Sequence, residues 1–202
     1  MAQIGMKYPV YAVIDEEEYG SAIDYNTGAI LAHAISATVT QNRRDNPLYA
    51  DDTKVQNDKG MTDYTIDLEL DDVPIEARVA LLGETAVTTG TGTTTVTHYE
   101  VTADSTPYVG FGYMRIRQVG DDKIYESYWF HKMQFALTTE EAATKREQIE
   151  WGTPKLTGTG FGVVIDTSGK EKMYDHMEFA SEDSALAWLK ARAGITTTGV
   201  GG

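Results

Sequence analysis

The sequence predicts a mainly β protein of the α+β class, with many turns and a C-terminal helix that packs on a sheet. Residues 61–71 alternate between mostly apolar and mostly acidic side chains, and a period of two indicates a β-strand with one buried face. The stretch 107–137 is rich in aromatic and β-branched residues around a short Gly-Asp turn, which is typical of a hairpin. The chain also contains 19 Gly and 12 Tyr, a composition that favours strands and turns.

Length and charge limit the classes of function. A chain of 202 residues can bury a full core, so we predict a single domain over 1–194. The net charge is −14, from 31 acidic and 17 basic residues. Because nucleic acids and anionic membranes are bound mainly through Lys and Arg, this balance argues against a protein of either binding class. The lack of Cys excludes disulfides and thiolate chemistry. The first residues resemble no secretory signal and no apolar run could span a bilayer, so we expect synthesis and folding in a cytoplasm.

The N-terminal part of the chain predicts an arm and two strands. Residues 1–8 are expected to be an N-terminal arm, followed by a short strand from Tyr8 to Ile14, in which Pro9 suits a strand start or an edge. A long strand is predicted over 29–40. The four-residue spacing of its apolar side chains also fits a helix, but the β-branched run at 35–40 favours a strand.

Residues 41–60 form a polar stretch with two turn signals, Asn46-Pro47 and 57–60. Twenty residues exceed the usual connection between strands, and loops of this size are normally functional or disordered. The apolar island at 48–50 lies between charged pairs, so we predict an extended loop that acts as a docking surface. A loop stabilised only by its own packing is the alternative. The residues assigned to the docking surface are Arg43, Arg44, Asn46, Leu48, Tyr49, Asp51 and Asp52.

The strand predicted at 61–71 directs its carboxylates to one side. These are Asp63, Asp67, Glu69 and Asp71. One interpretation is a half-exposed strand whose acids keep it soluble. The other is that the acidic side lines a passage and repels whatever moves along it. Periodicity shows that the acids share a face, but it does not show where that face points.

The remaining elements carry ordinary start and stop signals. A short helix is predicted over 74–82, between Pro74 and Gly83. The Thr/Gly-rich segment 84–95 has low complexity and is expected to be a hairpin tip or a surface loop. It is not expected to bind phosphate, because it lacks the G-K-[ST] ending of a phosphate-binding loop. In the predicted hairpin, Gly110 and Gly112 allow either the close approach of a neighbouring backbone or a bulge, and Arg115 and Arg117 share one face.

The C-terminal third is predicted to contain a short helix, three strands and a longer helix. The short helix covers 140–146, and the strands cover 149–154, 156–165 and 172–179. A well-capped helix starts after Ser181 and is closed by Gly194. Its apolar face consists of Ala185, Leu186, Leu189 and Ala193. Residues 195–202 are expected to be a flexible tail.

The sequence offers no constellation for catalysis. The four histidines are His33, His98, His131 and His176, and no two have a metal-ligand spacing. A Gly-x-Ser-x-Gly motif is absent, and the many carboxylates have no specific arrangement. We therefore expect no enzyme activity, no cofactor and no metal.

Several stretches resemble the major tail protein, or tail tube protein, of phages with long non-contractile tails. They are the N-terminal I-G-M-K-Y-P-V-Y-A-V-I, the run L-Y-A-D-D-T-K-V-Q-N-D-K-G-M-T-D-Y-T-I-D-L-E-L-D-D-V-P, the block W-F-H-K-M-Q-F-A-L and the later T-K-R-E-Q-I-E-W-G-T-P-K-L. The likeness covers most of 4–194, without the Thr/Gly segments.

The resemblance implies a fold of two packed antiparallel β-sheets, a sandwich or a partial barrel, with a flanking C-terminal α-helix. This fold is shared with the tube of type VI secretion systems. It implies a structural virion protein whose hexameric rings stack into a hollow tail tube, assembled in the host cytoplasm and later used for DNA ejection. The implied partners are further copies of the chain, the tape-measure protein, the tail terminator and the distal tail or baseplate proteins. DNA would be non-specific cargo, and no membrane is involved.

Two hypotheses follow from this resemblance. The carboxylates of 61–71 face the lumen of the tube, and the 41–60 loop contacts a neighbouring subunit. A rival class remains: a β-sandwich binding module, for example a carbohydrate-binding decoration. It needs an exposed aromatic platform, for which Tyr113, Tyr125 and Tyr128 are candidates.

Overall fold

The computed structural model describes residues 2–90, 95–102, 106–139 and 152–195, with side chains described from Gly5 onward. These residues form thirteen strands and two helices. In chain order they are β1 (Ala2–Glu16), β2 (Asp24–Tyr25), β3 (Ala29–Ile30), β4 (Ala34–Arg43), β5 (Asn46–Ala50), β6 (Thr53–Asp58), β7 (Met61–Leu70), α1 (Ile75–Leu82), β8 (Thr85–Thr89), β9 (Val96–Glu100), β10 (Val109–Val119), β11 (Asp122–Thr139), β12 (Lys155–Gly160), β13 (Tyr174–Phe179) and α2 (Glu182–Arg192).

The predicted fold class is confirmed, since the protein is mainly β, its strand pairs are antiparallel and a helix ends the described chain. Nine strands form one large sheet in the order β2-β1-β10-β11-β12-β7-β4, in which β13 also pairs with β11 and β3 with β1. The remaining strands form two separate hairpins, β5-β6 and β8-β9. The hairpin predicted around Gly120 is β10-β11, closed at the pair Val119–Asp122.

The two layers of the fold belong to one continuous sheet. Strand β11 is 18 residues long. Its first part pairs with β10 and β13, and its last part pairs with β12. The main core lies between the two halves, where Phe111 and Phe130 from one half join Tyr64, Ile66 and others from the second half. A long strand that takes part in both halves therefore joins the layers of a partial barrel.

Helix α1 closes one side of the main core. Val73, Ala77 and Leu81 are buried in it. The helix starts after Pro74 and ends at Gly83, which has the left-handed φ of 70° that Gly adopts without steric cost. The predicted helix at 74–82 is thus confirmed to within one residue.

Helix α2 covers the outer side of the sheet half that contains β1, β10 and β11. Its buried residues Ala185 and Leu189 pack with Trp129 in a second core. Ser181 caps the helix by accepting a hydrogen bond from the Ser184 amide, as predicted. A Cβ atom on Gly112 would stand 2.8 Å from the Trp129 ring, so this glycine allows the close approach expected from the sequence.

Some elements differ from the prediction. Residues 2–7 are not a free arm, because they pair with Gln118–Met114 of β10 and so satisfy an edge that would otherwise be open. The strand predicted at 29–40 is divided into β3, which pairs with β1, and β4, which pairs with β7. The break falls at Leu31, whose side chain is buried in the main core.

The predicted extended loop at 41–60 leaves the core, as expected, but its backbone is mostly paired as the hairpin β5-β6. Likewise, β8 lies in the predicted Thr/Gly segment and pairs with β9 as a hairpin. Four predictions lie outside the described residues, wholly or in part: the Thr/Gly segment at 84–95, the helix at 140–146, the strand at 149–154 and the tail at 195–202.

Candidate functional site

The acidic strand β7 lies inside the sheet, between β4 and β12. Its predicted alternation is confirmed, because Tyr64, Ile66, Leu68 and Leu70 are all buried while the residues between them reach solvent. The exception on the apolar side is Thr62 at the strand start, which is exposed. The acids of this strand therefore belong to a sheet face and not to a sheet edge.

The outward side of β4, β7 and β12 forms a continuous polar surface. Cross-strand partners share a face, and the pairing aligns Ser36 with Glu69 and Lys155, Thr38 with Asp67 and Thr157, and Thr40 with Thr65 and Thr159. Asn42 and Asp63 form one further pair. We call these eleven residues the polar face. It carries three carboxylates and one ammonium group, so its formal charge is negative.

Hydroxyl and amide groups hold the carboxylates of the polar face. The Thr157 hydroxyl donates to Asp67 Oδ1 over 2.8 Å, and Asn42 Nδ2 donates to Asp63 Oδ1. The Thr153 hydroxyl donates to Glu69 Oε1 over 2.6 Å. This last bond, helped by the charge of Lys155, lowers the pKa of Glu69. These bonds fix the three carboxylates in place.

Asp71, the fourth predicted acid, lies beyond the end of β7 and apart from the polar face. Its carboxylate accepts hydrogen bonds from the His33 amide at 3.0 Å and from His33 Nδ1 at 3.1 Å. Desolvation alone would raise the pKa of Asp71, but the bonds from His33 outweigh it and lower the pKa. The structure thus brings three of the four predicted acids together and gives Asp71 a role in the turn.

The residues predicted to dock lie on or beside the β5-β6 hairpin, which we call the distal hairpin (residues 46–58). Arg43 pairs with Met61 at the end of the β4-β7 ladder. At the hairpin base, the Arg44 amide donates to the Gly60 carbonyl over 3.0 Å and Arg44 Nε lies 3.0 Å from Asp58 Oδ2. The distal hairpin is therefore an extension of the β4-β7 ribbon beyond the sheet.

The distal hairpin presents apolar side chains to solvent. Leu48 is 59% exposed, Tyr49 61% and Val55 62%. Its two strands pair with each other and with no other described strand. The turn is formed by Asp51 and Asp52, whose φ angles of 50° and 57° have the positive sign required by a two-residue type I′ turn. An isolated hairpin of this kind is marginally stable in water.

The hairpin β8-β9 is a second exposed hairpin. Its first strand lies in the segment 84–95, which the sequence predicted as a hairpin tip or a surface loop, and its second strand agrees with a strand predicted at 96–102. Val96 and Tyr99 are among its exposed apolar side chains, and Thr88 and Thr97 are hydrogen-bonded across the strands at 3.0 Å. Like the distal hairpin, it pairs with no other described strand.

The sequence predicted only part of a buried ionic cluster, the two arginines. Arg115 and Arg117 share a face, as predicted, and both contact Glu126, which is 3% exposed. Arg115 Nε donates to Glu126 Oε2 over 2.8 Å, and Arg117 Nε lies 2.8 Å from Oε1. Burial would raise the pKa of Glu126, but the two arginines and the Tyr128 hydroxyl outweigh it and lower the pKa. Glu126 lies opposite Arg115 in the β10-β11 hairpin, so aligning the two predicted strands about their turn would have predicted this contact.

The three tyrosines of the rival binding module do not form a common platform. Tyr113 is buried and stacks on Tyr128 with ring centroids 5.4 Å apart, and Tyr128 stacks in turn on His176 at 5.5 Å. Tyr125 packs on the other side of the sheet, in the α2 core. These rings belong to the core and its margin.

Among the described residues, no group of three or more His, Cys, Asp or Glu side chains could hold a metal ion. Of the histidines, His131 is buried, with Nε2 3.6 Å from Asp175 Oδ1, and burial lowers its pKa. Neither helix of the described chain has the length and apolar character needed to cross a bilayer.

Comparison with known proteins adds no assignment, since no family model and no curated protein matches this sequence.

Proposed function

We propose that this chain is a structural virion protein: the major tail protein of a long non-contractile phage tail. In this proposal its copies assemble into hexameric rings that stack into a hollow tube, and DNA passes through the tube on its way to the host. The tape-measure, terminator and distal tail proteins are partners by the sequence resemblance given above.

The observation that carries the proposal is the distal hairpin. It continues a ladder of the main sheet, extends beyond that sheet and exposes Leu48, Tyr49 and Val55. In a monomer, an isolated hairpin with three solvent-exposed apolar side chains adds little to stability. A subunit of an assembly gains a contact with its neighbour.

The sheet edge supports the same proposal. Strand β4 is ten residues long and pairs with β7 on one side; no other described strand pairs with it. Long exposed edges promote pairing with another chain. The β4 edge and the distal hairpin are two different surfaces of the same chain. An interface between two different surfaces is heterologous, and heterologous interfaces generate rings and filaments.

The polar face supports the role of a conduit. Its three carboxylates outnumber its one ammonium group, that of Lys155, and its other side chains are neutral, so on balance it repels phosphates. We therefore assign Asp63, Asp67 and Glu69 to the lumen. Asp71 is left out of this assignment, because it lies apart from the polar face and is held by His33.

Electron microscopy and sedimentation of the purified chain test the proposal. We expect rings with six-fold symmetry or tubes from the wild-type protein. A variant that lacks residues 46–52 should be a folded monomer that no longer polymerises. The triple variant Leu48→Ser, Tyr49→Ser, Val55→Ser should behave in the same way.

A matched control is the variant Thr53→Ala, Gln56→Ala, which changes two exposed polar residues of the same hairpin and should still assemble. If tubes form without residues 46–52, the distal hairpin is not the connector. A wild-type chain that stays monomeric and binds sugars would favour the binding module instead. A tube that carries the polar face on its exterior would refute the assignment to the lumen.

A further inference from the structure

A cleft of about 200 Å³ opens at the margin of the main core, where β4 approaches β10, β11 and β13. Its walls include the rings of Tyr113, Tyr128, Phe130 and Tyr174, and Gln41 and Arg115 also line it. Phe130 and Tyr113 are buried, whereas Gln41 is exposed. The cleft is thus an opening through which solvent reaches the aromatic core.

The size and chemistry of the cleft suit one large side chain. Pockets for small-molecule ligands usually measure roughly 300–1,000 Å³, which is more than this cleft offers. Its polar groups already have partners within the chain: Arg115 donates to Glu126 and to the Tyr128 hydroxyl, and Gln41 donates to the Tyr174 hydroxyl over 3.1 Å. An aromatic side chain would fill the space and stack on these rings.

Tyr49 of the distal hairpin is a side chain of this kind, and it is 61% exposed. It lies eight residues beyond Gln41 on a ribbon that leads away from the sheet, and eight extended residues span about 25 Å. The hairpin therefore directs Tyr49 away from the cleft of its own chain. The cleft of another copy is the available site.

Charge favours the same pairing. The turn next to Tyr49 carries Asp51 and Asp52, both exposed. On a chain with a net charge of −14, most surfaces repel such a tip. The cleft differs from these surfaces, because Arg115 lines it and Arg117 lies beside it on the same face. Their charges balance those of their partners, the buried Glu126 and the exposed Glu178, so this cluster presents no net negative charge to the tip.

We propose that the cleft is the receptor for Tyr49 from the distal hairpin of a second copy of this chain. The inference rests on the proposed function, because it specifies the contact through which the subunits assemble. Donor and receptor are different surfaces of the same chain, so the contact is heterologous and generates rings or filaments.

Cross-linking tests the contact directly, because the chain contains no Cys. Lys54 is the cross-strand partner of Tyr49, and Gln56 is the partner of Leu48. Leu48 and Tyr49 are consecutive on β5 and point to opposite faces, and a register shift between the two pairs leaves Val55 as an extra residue on β6. Lys54→Cys therefore lies on the Tyr49 side, and Gln56→Cys, on the Leu48 side, is its matched control. His176→Cys marks the receptor, because the exposed His176 stacks on Tyr128.

A tagged Lys54→Cys chain is mixed with an untagged His176→Cys chain and treated with a short bismaleimide. We expect a covalent pair at least tenfold above the yield obtained with Gln56→Cys. Adding Tyr49→Ser to the donor should lower this yield at least tenfold, whereas Leu48→Ser should leave it within twofold.

Two failures are distinguishable. If the wild-type protein forms rings or tubes but Lys54→Cys links to His176→Cys no better than the control does, the receptor assignment is wrong and the proposed function stands. If the wild-type protein stays monomeric at every concentration and no covalent pair forms, both are overturned.

Discussion

Asp67 and Thr157 stand opposite each other on β7 and β12, and the Thr157 hydroxyl donates a hydrogen bond of 2.8 Å to the Asp67 carboxylate. The neighbouring Glu69 is bound in the same way by Thr153 at 2.6 Å. Hydroxyl donors orient a carboxylate without cancelling its charge. The polar face consequently keeps a fixed negative potential, which falls off within about 10 Å at 0.1 M salt.

Neutralising this face should make an assembled tube retain DNA. In the variant Asp63→Asn, Asp67→Asn, Glu69→Gln the side chains keep their size and can still accept hydrogen bonds, so folding and assembly should be preserved. We expect the binding of short duplex DNA to the tubes at about 0.05 M salt to rise several-fold, and the increase to vanish near 1 M salt, where the screening length is about 3 Å. Co-sedimentation of labelled DNA measures the effect.

The control for this variant neutralises three exposed acids elsewhere: Glu18→Gln, Asp121→Asn and Asp122→Asn. It changes the net charge equally and should not increase DNA binding. Equal binding by the two variants would show that net charge matters and that the polar face does not.

The buried cluster around Glu126 should govern stability more than any surface ion pair. In Glu126→Gln, Arg115 and Arg117 lose the carboxylate that both contact. Breaking a buried pair costs about 3–5 kcal/mol, and because both arginines are partly exposed we expect about 2–4 kcal/mol. Urea denaturation at neutral pH measures the loss. The control Glu178→Gln removes an exposed partner of Arg117 and should cost less than about 1 kcal/mol.

The same cluster predicts a pH dependence. The pKa of Glu126 in the folded protein lies below its usual value of 4.5. Its contribution to stability is therefore complete above about pH 4.5 and is lost as the pH falls through the lowered folded pKa. The difference in unfolding free energy between wild type and Glu126→Gln should be constant near neutrality and shrink under acid. A difference that grew on acidification would contradict a lowered pKa.

The folded protein favours the neutral form of His131, whereas it favours the charged form of Glu126. Burial favours its neutral form and lowers its pKa below 6.5; Arg192 and Lys172 act in the same direction, and Asp175 opposes them. Below pH 6.5 the unfolded chain binds a proton that the folded chain resists, so stability falls as the pH drops from 6.5 through the folded pKa. A folded pKa that is lower by one corresponds to about 1.4 kcal/mol of unfolding free energy lost at acidic pH.

Proton NMR of the His131 imidazole should give a titration midpoint below 6.5, and His131→Gln should reduce the loss of stability between pH 7 and pH 5. A midpoint above 6.5 would show that the Asp175 carboxylate dominates over burial.

The sequence predicted those parts of the fold that depend on local patterns. The alternation in β7 and the cap at Ser181 are visible in short stretches, because side-chain direction and capping are local properties. The continuity of the two layers through β11 was not predictable, because it depends on which strands pair with either end of one long strand. The pairing of residues 2–7 with β10 was missed for the same reason.

The candidate site shows the same division. The sequence identified the acids of β7 and the residues of the distal hairpin, since composition and length mark both. It did not place Asp71 with His33, which is 38 residues away. Nor did it reveal the cleft, whose lining comes from β4, β10, β11 and β13. Features built from distant segments require the pairing register, and periodicity alone does not supply it.

The register also explains one glycine that the sequence pattern left without a role. Gly160 pairs with Tyr64, and a Cβ atom on Gly160 would stand 1.9 Å from the Tyr64 ring. Tyr64 is fully buried and its hydroxyl bonds to the carbonyls of Lys132 and Met173, so the ring has little freedom to move. We expect Gly160→Ala to destabilise the protein by about 3 kcal/mol, the upper end of the cost of overpacking.

Thermal or urea denaturation measures this loss, and Gly5→Ala is the control, because a Cβ atom there meets nothing within 4 Å; its effect should stay within about 1 kcal/mol. A double-mutant cycle isolates the cause. In a Tyr64→Leu background the ring is gone, so Gly160→Ala should cost at least about 1 kcal/mol less than in the wild type. An equal cost in both backgrounds would mean that the strain arises in the β12 backbone and not from the Tyr64 ring.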